Sequence, residues 1–480
     1  MADGRPVEIE LDELIRRTLD RSGPTFSVAG PVPTGMVSAI TQDSRAVVPG
    51  SIFGAVRGET ADGLDFVADA VDRGAVGIIA REDRTGSVTT LVTADTRALI
   101  GVMASELHRN PSSRLDLIGV TGTNGKTSIV TLFEHVADYA GRRARSLGTL
   151  TSGLTTSAAP DFQATLASAV EDGIEVVAAE VSSHALDQHR VDGSEFRLAI
   201  FTNLSQDHLD YHGDLDSYFE AKARLFAPEL ARIGIVDIAT PAGKRLVDRA
   251  EIPVVAVDSS ALEDVELTAH ECRFRWRDHT VVLPLAGRFN IANALLVAEA
   301  AVEIGIEPAV VVQALATAPQ IPGRFEYVDA GQPFSVVVDY SHTPASLDAA
   351  ISAAREVATG TVVVVFGAAG DRDPGKRPLM GAAASAADRL FATSDNPRSE
   401  DPELILDAVV AGIDHADVHR ITDRRQAIAD AIGGAVDGDI VLIAGKGHED
   451  YQIVGERVVD FDDRVVAREV LAELGWVAAA

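Results

Sequence analysis

The sequence predicts an α/β protein of three domains. Short apolar runs alternate with segments of helical periodicity along the chain, the pattern of parallel sheets covered by helices. At 480 residues the chain is too long for a single hydrophobic core. A glycine-rich stretch, Gly119-Val120-Thr121-Gly122-Thr123-Asn124-Gly125-Lys126-Thr127-Ser128, lies between a strand-like run and a helix-like run.

Composition narrows the function. Apolar residues make up 46% of the chain, which excludes a disordered protein. Lys and Arg number 42 against 72 Asp and Glu, a formal net charge of −30. A field of that sign repels nucleic acid and anionic membranes, yet leaves room for a locally basic pocket that takes a small anion. The single cysteine, Cys272, excludes an internal disulfide framework and a cysteine-cluster metal site. No apolar run approaches the roughly 20 residues of a membrane helix. The acidic N-terminal stretch lacks a signal-peptide core. The expectation is a soluble, cytoplasmic monomer that neither binds nucleic acid nor inserts into membranes.

Residues 1–108 form the first predicted domain. Val37 to Ile40, Ser51 to Val56 and Ala75 to Ala80 read as strands, and Phe66 to Asp72 as a helix. The polar turns of this module, among them Gln42-Asp43-Ser44-Arg45, suit a ligand contact and equally suit plain surface loops. Asn110-Pro111-Ser112-Ser113 reads as a linker into a central domain, residues 109–324.

In that domain Leu115 to Val120 reads as a buried strand. Ile129, Val130, Phe133, Val136 and Ala137 recur at helical spacing after the glycine-rich turn. A strand, a glycine-rich turn and Lys-Thr at a helix start make a phosphate cradle. The turn points backbone N–H groups inward, and the helix N-terminus adds partial positive charge. Lys126 would meet the β/γ-phosphates and Thr127 would meet Mg²⁺. The usual pattern places glycine five residues before Gly125, where Val120 stands.

Further strands are expected at Glu175 to Ala179, Leu198 to Thr202 and Ile233 to Ile238. Ligands of such sheets gather at the carboxyl ends of strands. Two of these ends are polar: Glu180-Val181-Ser182-Ser183-His184, and the run Thr202-Asn203 through Asp207-His208 to His212. Carboxylates beside a triphosphate suit Mg²⁺. Lys222 lies in an ordinary-looking helix. Gly287 to Asn293, with Asn290 and Asn293, suits a base-recognising loop. Ile321 to Glu326 reads as an interdomain hinge carrying Arg324.

Residues 325–480 form the third predicted domain, with strands at Phe334 to Val338, Thr361 to Phe366, Leu390 to Thr393 and Ile440 to Ile443. Four strand ends carry charged turns: Asp339 to Pro344, Gly370 to Pro378, Ser394 to Arg398, and Gly445 to Glu449. Four such turns at one sheet edge predict a site for an anionic or zwitterionic ligand.

Together these residues resemble the Mur ligase family of ATP-dependent amide-forming enzymes over essentially the whole chain. Gly-Thr-Asn-Gly-Lys-Thr is that family's form of the phosphate loop, which accounts for Val120. Glu180 to His184, Asn203 to His212, Gly370 to Asp373, Asp395 to Arg398 and Gly445 to Glu449 are its further markers. They resemble those of the member that adds a diamino acid to UDP-N-acetylmuramoyl-L-alanyl-D-glutamate in peptidoglycan precursor synthesis.

The resemblance implies a three-domain architecture: a central P-loop parallel sheet, an N-terminal α/β module for the UDP-substrate and a C-terminal Rossmann-like domain for the amino acid. ATP and Mg²⁺ are the implied cofactors. Gly122, Thr123, Asn124, Gly125, Lys126, Thr127 and Ser128 would hold ATP, with Asn290 at adenine, Arg324 at the γ-phosphate and Asp339 at the ribose. Thr127, Glu180, His208 and Lys222, the last as a carbamate, would hold metal. Gln42, Ser44 and the Glu59-Thr60-Ala61 loop would hold the uridine end, and Thr155, Thr156, Ser182, Gln188 and Arg190 the sugar-peptide part. Arg372, Asp395, Asn396, Pro397, Arg398, Gly445 and Glu449 would take the incoming amino acid.

That last group favours meso-diaminopimelate over lysine. Diaminopimelate carries a carboxylate as well as an ammonium at its far end. Arg398 can grip the carboxylate in a bidentate fork while Glu449 takes the ammonium; lysine would leave the arginine unmatched. The chain departs from the family at Ser157, where proline is common, at Ala185, where glycine is common, and at Ala368-Ala369. Three other readings stand beside this one: a lysine- or ornithine-adding ligase of the same family, a folylpolyglutamate-synthetase-like enzyme, and a non-catalytic nucleotide-binding protein.

Overall fold

The computed structural model describes residues 8–476, apart from 22, 59, 60 and 416. Three sheets carry it. The N-terminal sheet is built from β1 (Ser27–Ala29), β2 (Ala39–Thr41), β3 (Ser51–Gly54), β4 (Gly77–Ala80) and β5 (Thr89–Val92). Their order is β1-β5-β4-β3-β2. Only β1 runs antiparallel to its neighbour. The run expected as one strand at Val37 to Ile40 is split. Met36–Val37 pairs with Ile9–Glu10, while Ala39–Thr41 joins the main sheet. The expected helix at Phe66 starts as a 3₁₀ turn, Gly63–Phe66, and becomes α-helical at Val67–Asp72.

The next segment corrects the linker reading. Helix α1 (Thr96–Leu107) is buried from Ala98 to Leu107. It packs on the N-terminal sheet with one face and on the central-domain helix Ala159–Glu171 with another. Gly101 permits this approach, since a Cβ there would come within 2.7 Å of the Asp192 carbonyl oxygen. Asn110, in the left-handed region at φ 53°, accepts a 2.5 Å hydrogen bond from Arg21 Nη1, which also donates to Ser105 Oγ and the Gly193 carbonyl. Pro111 and Ser112 are buried. The Asn-Pro-Ser-Ser stretch is thus a packed corner.

The central sheet has six parallel strands: β6 (Asp116–Thr121), β7 (Ala144–Leu147), β8 (Val176–Glu180), β9 (Phe196–Phe201), β10 (Ala231–Asp237) and β11 (Val254–Val257). The order is β11-β10-β9-β6-β8-β7. Strands β8 and β9 flank β6, so the strand order reverses there and opens a crevice at the carboxyl ends. Helix α2 (Lys126–Tyr139) covers one face through Ile129, Val130, Phe133 and Val136. Phe162, Leu166, Phe219 and Phe226 fill the other. An antiparallel trio not foreseen from sequence, β12 (Glu266–Leu267), β13 (Cys272–Trp276) and β14 (His279–Leu283), closes the first core.

The C-terminal sheet comprises β15 (Glu326–Tyr327), β16 (Ser335–Asp339), β17 (Val362–Phe366), β18 (Arg389–Ala392), β19 (Val418–Arg420) and β20 (Ile440–Ala444), in the order β15-β16-β20-β17-β18-β19. Only β15, at the edge, is antiparallel. A hairpin of β21 (Tyr451–Val454) and β22 (Arg457–Asp460) follows. The carboxyl-end loops of the central and C-terminal sheets line one shared cleft of about 1210 Å³. Among the described residues no helix is long and apolar enough to cross a membrane.

Candidate active site

The glycine-rich loop after β6 folds as a cradle because two of its residues are glycine. Gly122 and Gly125 sit at φ 146° and 88°, where side chains are strained. A Cβ on Gly122 would also collide with Thr202 Oγ1, and one on Gly125 with Asn293 Oδ1. The strand end after β9 fixes the loop from beside. Asn203 accepts from the Thr123 and Asn124 N–H groups at 2.9 and 3.1 Å, and Thr202 Oγ1 donates to the Asn124 carbonyl at 2.6 Å. Ser128 is buried in the first helical turn. Lys126 Nζ folds back onto the Gly122 and Thr123 carbonyls, 2.9 Å from each.

Glu180 closes the cradle. It is the last residue of β8 rather than the first beyond it, and it is 2% exposed. Its Oε1 accepts from Thr127 Oγ1 and from the Thr149 N–H, each at 3.0 Å. Arg324 Nη2 donates to the same Thr127 hydroxyl at 3.0 Å. Its guanidinium stacks over the Tyr340 ring, 4.3 Å from the centroid. The hinge arginine thereby reaches the phosphate loop from the domain boundary.

Lys222 is 1% exposed. Its Nζ donates to the Gly122 carbonyl at 2.8 Å and lies 4.3 Å from the Tyr218 ring centroid. Burial, with Lys126 nearby, holds its ammonium well below the usual lysine range. His208 adopts φ 52° and meets His184 edge-on at 4.7 Å. Partial burial pushes its imidazole down to about 4. It therefore stays neutral near pH 7, the form that ligates metal.

These residues fit a nucleotide and a hard cation. The cradle has the curl and the lysine that phosphates require, and Thr127 and Glu180 offer oxygens. Among the described residues, no group of three or more His, Cys, Asp or Glu side chains could hold a metal ion. A cation here would complete its shell with phosphate oxygens, as Mg²⁺ commonly does.

Two expected nucleotide contacts already have protein partners. Asn290 is 2% exposed, donates to the Ala286 carbonyl at 2.8 Å and accepts from Asn293 Nδ2 at 3.4 Å. Asp339 accepts from the Phe325 N–H at 2.7 Å, and from the Ser341 N–H and hydroxyl. Asn293, pressed on the phosphate loop, is the nearer asparagine.

The sugar-peptide set forms one network at the end of β8. Thr156 Oγ1 donates to the Glu180 carbonyl and accepts from the Ser182 N–H, at 2.9 and 3.1 Å. Arg190 donates to the Thr156 carbonyl and to Gln188 Oε1, both at 2.8 Å. Ser182 caps a short helix through the Ala185 N–H. Thr155, bonded to Thr149, is the member that lines the cleft. Gln42 and Ser44 lie outside the cleft lining. Ser44 is buried at the start of a 3₁₀ turn capped by Asp43. Residues 59 and 60 of the expected uridine loop lie outside the described residues.

On the opposite wall Arg372, Asp395, Asn396, Arg398, Gly445 and Glu449 all face the cleft. Asn396 Nδ2 donates to Glu449 Oε2 at 2.9 Å. Pro397 packs behind them, its carbonyl against Gly370. Arg398, at φ 54°, is fixed by its backbone to the hairpin: its N–H donates to the Ile453 carbonyl at 3.0 Å, and its carbonyl accepts from the Gly455 N–H at 2.7 Å. Arg398 Nε is buried without a hydrogen-bond partner. An unmatched buried donor of a charged group awaits an acceptor.

Sequence reasoning assigned no role to Lys446 or Lys376. Lys446 is fully buried, 3.2 Å from Glu449 Oε2 and 3.4 Å from Asn396 Oδ1. Lys376 crosses the cleft to Asp207 Oδ1 at 3.0 Å. Both stand inside charged turns that the sequence marked, and that placement was the available signal.

Comparison with known proteins places this geometry. Residues 36–106 match the model described as Mur ligase family, catalytic domain; residues 120–301 match the Mur ligase middle domain; and residues 323–447 match the Mur ligase, glutamate ligase domain. The chain is 42% identical over 465 residues to a UDP-N-acetylmuramoyl-L-alanyl-D-glutamate–2,6-diaminopimelate ligase of Geobacillus thermodenitrificans (strain NG80-2), covering 91% of this chain and 95% of that protein. It is 39% identical over 503 residues to the ligase of the same name from Streptomyces coelicolor, covering 97% and 98%. A solved structure of a ligase so named superposes with a TM-score of 0.69 at 30% identity over 97% of this chain and 99% of that one. A MurF from Acinetobacter baumannii, at 19% identity and a TM-score of 0.62 over 91% and 96% of the two chains, shares the fold. The chain belongs to the Mur ligase family.

Proposed function

We propose that this protein is an ATP-dependent ligase that joins meso-diaminopimelate to UDP-N-acetylmuramoyl-L-alanyl-D-glutamate, in peptidoglycan precursor synthesis. Its relatives of that name align over nearly their whole length. The observation that favours diaminopimelate is the pairing, on one wall of the cleft, of Arg398 and its unmatched buried Nε with the Glu449 carboxylate. The Arg398 donor suits the far carboxylate of that amino acid, and Glu449, which Lys446 also holds, suits its far ammonium; lysine would meet only the second.

Bound ATP supplies the phosphoryl group that converts the D-glutamyl γ-carboxylate into an acyl phosphate, and Mg²⁺ offsets its charge. Lys126 leaves the loop carbonyls to meet the phosphates, and Arg324, already on Thr127, reaches the γ-phosphate side. This work is electrostatic stabilisation of a transferring phosphoryl group. Thr127, Glu180, His208 and a carbamate on Lys222 would hold the metal. Burial disfavours the Lys222 ammonium and so favours the neutral amine that adds carbon dioxide, and the added charge would offset that of Lys126 nearby. The amine of diaminopimelate, set by Asn396, Arg398 and Glu449, then attacks the acyl carbon and phosphate leaves. The shared cleft keeps water from the acyl phosphate when the domains are closed. Gln42, Ser44 and the Thr155-to-Arg190 network would carry the UDP-sugar-dipeptide, and Asn290 and Asp339 the nucleoside of ATP.

Phosphate release with ATP, Mg²⁺ and the UDP-dipeptide tests this reading. Release that requires meso-diaminopimelate is expected. Release with L-lysine instead keeps the ligase and refutes the specificity; silence with both refutes the activity.

A further inference from the structure

We propose that the buried ion pair Arg424–Asp463 is the positioning device that sets both amino-acid-recognition loops at once. The inference rests on the amino-acid reading of the cleft wall given above. Both side chains are 0% exposed. Arg424 Nε and Nη2 donate to the two Asp463 carboxylate oxygens at 2.8 and 2.7 Å. Two further donors go to backbone carbonyls: Nη2 to Ala444 at 3.0 Å and Nη1 to Ser394 at 3.5 Å. Those carbonyls immediately precede Gly445 and Asp395, the first residues of the two loops. One planar fork therefore holds the roots of both loops from behind. In front, the loops touch: a Cβ on Gly445, at φ 117°, would lie 2.7 Å from Asp395 Oδ2.

Neither stability nor local propensity explains the pair. A buried ion pair can be exchanged for apolar side chains of similar volume without loss of stability. Arg424 opens the helix Arg424–Gly433, where a cation opposes the helix dipole. What the guanidinium supplies is fixed geometry, a rigid planar set of donors that lysine lacks. The loops it anchors carry Asn396, Arg398 and Glu449, whose spacing must match one diamino acid.

The test compares three variants of the full-length enzyme by thermal unfolding and by the separate KM values for diaminopimelate, ATP and the UDP-dipeptide. Arg424→Met combined with Asp463→Leu removes both charges and keeps an apolar core. It is expected to fold and to raise KM for diaminopimelate about tenfold or more, since an ångström of misplacement suffices for that, with the other two KM values unchanged. Arg424→Lys keeps the charge, loses the fork and should show the same selective rise. Asp463→Asn breaks the two-oxygen clasp and leaves the buried guanidinium uncompensated, so it should unfold at a lower temperature and show the same selective rise. An unchanged diaminopimelate KM in either folded Arg424 variant overturns the proposal, as does an equal rise in all three KM values. If the double variant does not fold, Arg424→Lys decides alone, and its failure to fold as well overturns the proposal by making the pair a stability element. Absence of turnover by the wild-type enzyme with any amino acid would instead overturn the assigned activity.

Discussion

Nζ of Lys376 lies 3.0 Å from Oδ1 of Asp207, the two side chains being 26% and 9% exposed. One ion pair thus joins the first turn of a C-terminal-domain helix, Lys376–Ala384, to the loop after β9 of the central domain. A lysine in a first helical turn opposes the helix dipole, so the contact across the cleft is what favours it there. Asp207 also adjoins His208, whose Nε2 is 3.5 Å from Oδ2. Domain separation would strip the aspartate of its cation. Lys376→Met is expected to lower kcat/KM for the amino acid by roughly thirtyfold, the scale of about 2 kcal/mol for a truncated buried charge pair. Its small-angle scattering profile should shift toward a more open molecule. An unchanged rate and profile would remove the latch role.

Lys222 makes a second prediction, and its sign follows from burial. The folded-state value lies well below the usual lysine range, near 10.4 for an unfolded chain. Between the two values the unfolded chain holds a proton that the folded one lacks, so stability rises with pH through that window. Lys222→Met removes this dependence. The variant should unfold at a higher temperature than the carbon-dioxide-free wild type at pH 7, with the gap closing toward pH 10. Its ligase rate should fall by on the order of a thousandfold or more, the scale of losing a metal's charge stabilisation. Small carboxylates added to Lys222→Ala should restore part of the rate; full activity in either variant would dismiss the carbamate.

Cys272 offers a clean report on β13. It is 0% exposed, and burial pushes its thiol up to about 12. The thiolate fraction at pH 8 is then roughly one part in ten thousand in the folded protein, against about a quarter unfolded. Labelling by a disulfide reagent should proceed at the rate of unfolding. Raising a thiol's folded value gives stability that is present below about pH 8.5 and lost as pH climbs toward 12. Rapid labelling of the native protein would mean that the β13–β14 hairpin opens locally.

Much of this was legible because short-range chemistry dictates it. Gly122 and Gly125 must be glycine to take their φ values, and Lys126-Thr127 follow at a helix start, so the cradle announces itself. Apolar runs such as Val362 to Phe366 mark buried parallel strands. Strand β7, Ala144–Leu147, is not foreseen: it lies at the sheet edge, pairs only with β8, and is largely half-buried, so its sequence carries no apolar run. Partnerships between distant residues were equally hidden. Lys376 and Asp207 stand 169 residues apart, and the hairpin that fixes Arg398 begins more than fifty residues after it. Nor does the sequence show that Asn290 and Asp339, expected at the nucleoside, also hold the Ala286 carbonyl and the Phe325 N–H.

The proposed preference for diaminopimelate rests on Arg398. Its backbone is fixed by the hairpin, so truncating the side chain should leave the fold intact. Arg398→Ala removes the fork expected to grip the far carboxylate of diaminopimelate. A bidentate, charge-assisted contact of this kind is worth about 3 kcal/mol, so kcat/KM for diaminopimelate should fall roughly a hundredfold. L-Lysine loses nothing by the change and gains from the removal of a neighbouring positive charge, so its kcat/KM should hold or rise. The preference for diaminopimelate should therefore shrink by at least the same factor. Arg398→Lys should recover little, because a point charge cannot reproduce the planar fork. Competition between the two amino acids in one reaction reads the ratio directly, and a ratio equal to wild type in Arg398→Ala would move the specificity to another residue of the wall.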